Sequence, residues 1–450
     1  MQTGTALAAG GGLLLWPAVL NGYPLVFSDT GAFLAQTVLG WPVWDKPFVY
    51  GPALAAFHWG VTLWLSAMAQ GLLISWLLWL VQRVLRGAVR PVEHLLLCTG
   101  LAAFTAAPWF TALLMPDVLA PVLVLALFLL GFGEARLSLA ERLGLGAVVA
   151  FGVAAHLSHP PVAAALVALV WALRMRWRPV LACALPLAAG VALLLATNLA
   201  AQGRLALAPY GAVFALARLV ADGPAARTIA ARCPEAGWHL CRWAGHLPTD
   251  SDLFLWSEDG PVWAPRSDGA EPGGPISLAP EAAGIVAETI AREPFAVLRA
   301  AAANTWSQIG MAQVGDTLEP DHLSRQIGRL LVLGFPEAEQ RRFAASLQAR
   351  GLLPAAAAPF LPVQVPVLLL GAAGALLAWR SAARARDPVR LGLVLCVLVG
   401  LAVNAAVTGA LSGPHHRYQA RIAWLLPLAA LVGLAPVYGA RKREVLERVG

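Results

Sequence analysis

The stretch VTLWLSAMAQGLLISWLLWLVQRVLRGAVR (61–90) decides the fold class. A helix needs about 20 apolar residues to cross a hydrocarbon core roughly 30 Å thick, and this run supplies them. It closes on Arg83, Arg86 and Arg90, as a span does where it emerges on the cytoplasmic side. The same design recurs along the chain. Of 450 residues, 59% are hydrophobic and only 13% charged. A soluble domain carries roughly a quarter charged residues. Disorder and coiled coil need a polar majority and are excluded on the same grounds. An all-α polytopic membrane protein remains.

About ten transmembrane helices are expected, centred near Leu14, Leu65, Leu101, Val124, Val149, Val167, Leu187, Leu369, Val399 and Ala429. Residues 1–199 hold about seven spans, 361–450 about three, and 200–360 form one long outer region of mixed helices and loops. Five connections (82–90, 134–142, 174–178, 380–390 and the tail 441–448) carry 16 of the 32 basic residues on one side of the membrane. The short loops opposite carry three: Lys46, Arg417 and Arg421. This asymmetry predicts cytoplasmic termini and an extracytoplasmic long loop. The segment Thr5 to Leu20 lacks the basic start of a cleavable signal peptide. In the long region, 280–306 has apolar residues at helical spacing. The net charge of +7 follows from the cytoplasmic loops, so no nucleic-acid partner is expected.

Cys98, Cys183 and Cys396 fall within predicted spans, where a thiol acts as a small hydrophobe. Cys233 and Cys241, eight apart in the outer region, are expected to form a disulfide in an oxidising compartment. Their spacing lacks the second ligand pair of a zinc site.

The outer loops concentrate the unusual chemistry. Ionisable groups at span boundaries are costly unless solvated or paired, which makes them site candidates. In the outer loop 21–53, Ser28-Asp29 precedes a helix-like run from Thr30 to Leu39. Asp29 suits two roles: capping that helix, or accepting a proton from an acceptor hydroxyl at the mouth of a cavity. In SGPHHRYQARIAWLLPL (412–428), Arg417 and Arg421 lie four apart, on one face of a helix. The guanidinium fork matches a phosphate, and His415 and His416 add donors or proton carriers. Interfacial arginines that hold lipid headgroups would look similar. Lys46 is a further cation for a phosphate. Asp117 in MPDVLAP and His159 in HLSHPP are second-rank candidates, since a helix start or a tight turn explains each.

Asp29 after the first span, a short helix, then Asp45-Lys46-Pro47-Phe48-Val49-Tyr50 leading into the second span resembles the GT-C glycosyltransferases that use polyprenyl-phosphate-linked sugars. The layout of spans around one outer region is similar too. The chain departs from that pattern at Thr30, where many members carry a second acid, and at Phe48, where they carry a second proline. The resemblance implies a membrane glycosyltransferase of the bacterial inner membrane, with Asp29 as base and an inverting single displacement. Lys46, Asp45, Tyr50, His415, His416, Arg417 and Arg421 would then surround the donor phosphate. The partners implied are the lipid-linked donor and membrane lipids.

Asp250-Ser-Asp252 has a D-x-D form, but no second ligand cluster accompanies it; no cofactor is identified and a divalent metal has no ligand set. Two other readings compete with the transferase: a non-catalytic or transport subunit (flippase or assembly scaffold) for lipid-linked glycans, and an oligosaccharide ligase. Transporters place polar residues near the midplane in two similar halves, whereas here the ionisable groups gather at one surface.

Overall fold

A computed structural model of the chain describes residues 2–265 and 273–436. The basic tail 441–448 lies outside them. Every regular element among the described residues is helical, with one isolated backbone bridge between Leu25 and Leu113. Four helices are long and apolar enough to cross a membrane: Trp64–Arg86, Trp177–Gln202, Gln364–Arg384 and Pro388–Leu411. They make the chain a membrane protein. The other expected span centres fall in or beside shorter helices, namely Gln2–Leu13 with Trp16–Asn21, Pro91–Phe104, Leu119–Phe132, Leu139–Ala155, His159–Arg174 and Leu425–Gly433.

The centre expected near Leu65 lies in the first turn of its helix, which runs on to Arg86. Polar residues inside it find partners within the protein instead of ending it. Gln70 accepts from Tyr50 Oη at 2.5 Å and donates to the carbonyls of Thr111 and Leu113 at 2.9 Å. Leu119–Phe132 is buried at every residue and forms the centre of the bundle, as a helix apolar all round must. Around it, Trp177–Gln202 packs along Leu139–Ala155, Gln364–Arg384 along Leu425–Gly433, and Pro294–Gly310 along Pro388–Leu411.

The region 200–360 is not one unit. Residues from Tyr210 to Ile285 enclose a separate apolar core, stapled by the Cys233–Cys241 disulfide. From Val314 to Ala357 the side chains belong to the core of the membrane block. Buried polar contacts stitch this second part down. Glu339 accepts from Tyr23 Oη at 2.7 Å and Leu63 N at 2.8 Å, and Gln348 donates to Val26 O at 2.7 Å. The helical stretch expected over 280–306 is two helices, Pro275–Arg292 and Pro294–Gly310. Pro294 has no N–H to donate and forces Glu293 out of helical geometry. Cys98, Cys183 and Cys396 are buried thiols.

Candidate functional site

Three segments far apart in sequence bring charge together. The first is the helix Ser28–Val38. Its opening is capped by Thr30, whose hydroxyl accepts from Phe27 N at 2.9 Å and donates to Leu114 O at 3.0 Å. Thr30 therefore does the capping work considered for Asp29. The Asp29 carboxylate is turned to two cations: Lys46 Nζ lies 3.1 Å and Arg417 Nη1 3.9 Å from the same oxygen, Oδ2. Asp45 holds Lys46 from the other side at 2.9 Å. Burial pushes the Asp29 carboxyl up, but Lys46 and Arg417 override that and hold it below the usual carboxylate range. Burial alone would lower the Lys46 ammonium, and Asp29 and Asp45 together keep it above its usual value.

The second segment is the helix His416–Ala423. Its spacing does put Arg417 and Arg421 on one side, but at different depths. Arg417 keeps 12% of its side chain exposed and lies over the rings of Phe27 and Tyr418, 4.3 and 5.0 Å from the centroids. Its Nη1 has no hydrogen-bond partner. Arg421 is fully buried. It reaches Asp117 Oδ1 at 3.3 Å, Ser158 Oγ at 3.0 Å and Asn404 Oδ1 at 2.9 Å. In this arrangement its guanidinium has no exposed surface and all of these partners are protein groups. Asp117 is the third piece, in the short turn Pro116–Val118, and it links the two arginines, with Arg417 Nε at 3.8 Å. Its Oδ2 has no hydrogen-bond partner.

The remaining candidates divide. His416 Nδ1 accepts from Gln313 N at 3.2 Å, and His415 Nε2 lies 3.8 Å from Asp252 Oδ2, so both form the rim around Arg417. Asp316 accepts from Arg417 N at 2.9 Å and places a carboxylate at that helix start. Tyr50 uses its hydroxyl on Gln70, and its ring is edge-on to Phe33 and stacked on Phe151. His159 bonds Gly152 O through Nδ1 at 2.7 Å, and His156 pairs with Ser158 Oγ at 2.8 Å. Burial and then Arg421 hold His156 well below its usual value. Asp250 of the D-x-D caps the helix Ser251–Trp256, accepting from Asp252 N at 2.8 Å.

Sequence reasoning missed Phe27, Ser158, Asp316, Asn404 and Tyr418. Phe27 adjoins Ser28-Asp29 and Tyr418 lies within the quoted stretch 412–428, where a ring beside an expected arginine is a legible signal for stacking. Ser158 stands within the quoted HLSHPP with no signal of its own, and Asp316 and Asn404 carry no local signal.

Beside Lys46 a small cavity of about 20 Å³, room for a water, opens between Trp44, Tyr210 and Phe214. Behind the helix Tyr50–His58, an apolar groove of about 610 Å³ runs over Phe57, Trp59, Met68, Leu72 and Trp76. Comparison with protein-family models, with curated proteins and with solved structures found no match for this chain.

Proposed function

We propose that the chain is an integral membrane glycosyltransferase, taking a sugar from a polyprenyl-phosphate-linked donor to an acceptor hydroxyl on the outer side of the bacterial inner membrane. The reading includes the ten spans, a GT-C-like arrangement, cytoplasmic termini and a periplasmic outer region. One observation carries it: the partly exposed Lys46 and Arg417 converge on a single oxygen of Asp29, and Arg417 Nη1 has no hydrogen-bond partner. Two converging cations are the equipment for a phosphate, and a carboxylate between them is the equipment for proton abstraction.

The steps follow from the charges. A donor phosphate entering the cluster shares Lys46 and Arg417, which weakens their hold on Asp29. Burial then raises the affinity of that carboxylate for a proton. Asp29 takes the proton of the acceptor hydroxyl, whose oxygen attacks the anomeric carbon. The bond from that carbon to the phosphate oxygen breaks, and the polyprenyl phosphate departs with the electron pair. Its new charge develops against Lys46 and Arg417. Asp117 and Arg421 hold Arg417 in place from behind. The open apolar groove beside Tyr50–His58 is consistent with a lipid-borne donor.

The test is Asp29→Asn in purified protein given a panel of polyprenyl-phosphate sugars together with glycan and lipid acceptors carrying free hydroxyls, with released polyprenyl phosphate read by mass spectrometry. The wild type should release it, and the variant should be slower by about a hundredfold or more at similar thermal stability. Near-normal turnover would remove Asp29 as the base. A wild type that turns over no donor in the panel would favour the non-catalytic subunit instead.

A further inference from the structure

The helix Pro294–Gly310 has the position of a membrane element although the sequence places it in the outer region. It lies along the span Pro388–Leu411. The contact is close: a Cβ on Gly409 would sit 2.7 Å from Asn304 O and 3.0 Å from Gln308 Cβ. Asn304 and Gln308 are therefore level with the last turn of that span. The face turned away from the span carries Phe295, Leu298, Trp306 and Ile309, exposed at 85%, 65%, 78% and 48%. With the exposed Ala302 these positions are three or four apart, so they form one continuous side of the helix. Arg299 is the one charged residue in the helix. Large apolar side chains displayed together on that scale mark a contact surface.

We infer that this face lies in the outer interfacial layer of the lipid bilayer. Depth argues for lipid over a protein partner, because a helix packed against the outer turns of a span shares that span's surroundings. Chemistry agrees. Trp306 is the residue type enriched at the membrane–water boundary, and Arg299 can rest its stem on the apolar side while reaching headgroup phosphates. The helix also bears on the charged cluster. Gln308 donates to His415 O at 2.8 Å and accepts from His415 N at 2.9 Å, so it holds the residue that precedes the helix of Arg417. The bilayer thus sets the height of Arg417 through Gln308. This holds whether or not the chain transfers sugar.

The experiment uses the full chain in nanodiscs of phosphatidylcholine and phosphatidylglycerol. Trp306→Cys and, independently, Leu298→Cys are labelled with an environment-sensitive fluorophore; the native free thiols are buried and do not compete. Asp259→Cys in the outer region, where Asp259 is exposed, is the aqueous reference. Lipids with a nitroxide at the headgroup or the upper acyl chain should quench the first two labels severalfold more than the reference. A water-soluble quencher should show the reverse order. Free access of the soluble quencher to both labels would overturn the inference. Shielding from both quenchers would also overturn it, in favour of a second protein surface.

Discussion

Two buried polar clusters in this molecule are built on opposite terms. In the first, His94 Nδ1 accepts from Gln82 Nε2 at 3.0 Å and its Nε2 bonds with Ser75 Oγ at 2.9 Å, with Cys98 Sγ 3.6 Å away. Its partners carry no formal charge. It ties the helices Trp64–Arg86 and Pro91–Phe104 together where Gly10 passes close by. In the second, around Asp29, Asp117, Lys46, Arg417 and Arg421, charges are paired but incompletely bonded: Arg417 Nη1, Arg421 Nε and Asp117 Oδ2 have no hydrogen-bond partner. A satisfied polar cluster specifies packing. A cluster of buried charges with unused bonding capacity is hard to explain by stability, since well-packed apolar residues would often do as well or better. On the proposed function, the difference is that between a structural tie and a site.

Arg421→Met should give the largest loss. It strips Asp117 of its nearest cation inside the protein, at a cost of about 3–5 kcal/mol. Thermal or denaturant unfolding in detergent measures it, and a loss no larger than that of a surface arginine would break the distinction between the two arginines.

Arg417→Lys sharpens the comparison from the ligand side. The charge survives and the fork is lost, so one charge-assisted bond to the donor phosphate disappears, worth about 1.5–3 kcal/mol. Donor affinity should therefore weaken by roughly ten- to a hundredfold. Isothermal titration with a polyprenyl phosphate reads it directly; unchanged affinity would take Arg417 out of contact with the donor.

Gly10→Val probes the other cluster. A Cβ there would meet Ser75 Oγ at 2.7 Å and His94 Nε2 at 2.8 Å. Overpacking of this kind costs about 1–3 kcal/mol. Stability should fall while turnover per folded molecule stays the same, and a selective loss of turnover would erase the contrast between tie and site.

The smallest expected effect is on pH. The folded-state pKa of Asp29 is lowered, by Lys46 and Arg417 against burial. Its contribution to stability is thus fully present above the unfolded carboxylate value, about 4, and is lost as pH falls through the lower folded value. The melting-temperature difference between wild type and Asp29→Asn should stay level from neutral pH down to about pH 4 and shrink below it. A difference that changes near neutrality would mean the Asp29 carboxyl is not held low.

The apolar runs, the arginines at their ends and the Cys233–Cys241 spacing were legible in the sequence because each depends on local composition or on neighbours eight or fewer residues apart. That is enough to place a chain in a membrane and to pick out Asp29, Lys46 and Arg417. It was not enough to tell Arg417 from Arg421. Helical spacing puts both on one side, but depth depends on Ser158 and Asn404, which come from other helices. Asp29 posed the same difficulty. Its freedom from capping depends on Thr30 and on a carbonyl 84 residues away, at Leu114. The long outer region reads in sequence as one stretch of mixed helices and loops, yet Val314 to Ala357 join the membrane core and Pro294–Gly310 docks on a span, choices made by surfaces the sequence order does not bring together. Sequence alone determined where the chain is apolar and which charges are unusual. Tertiary packing decided which of those charges meet, because burial and ion pairing are set by distance in space.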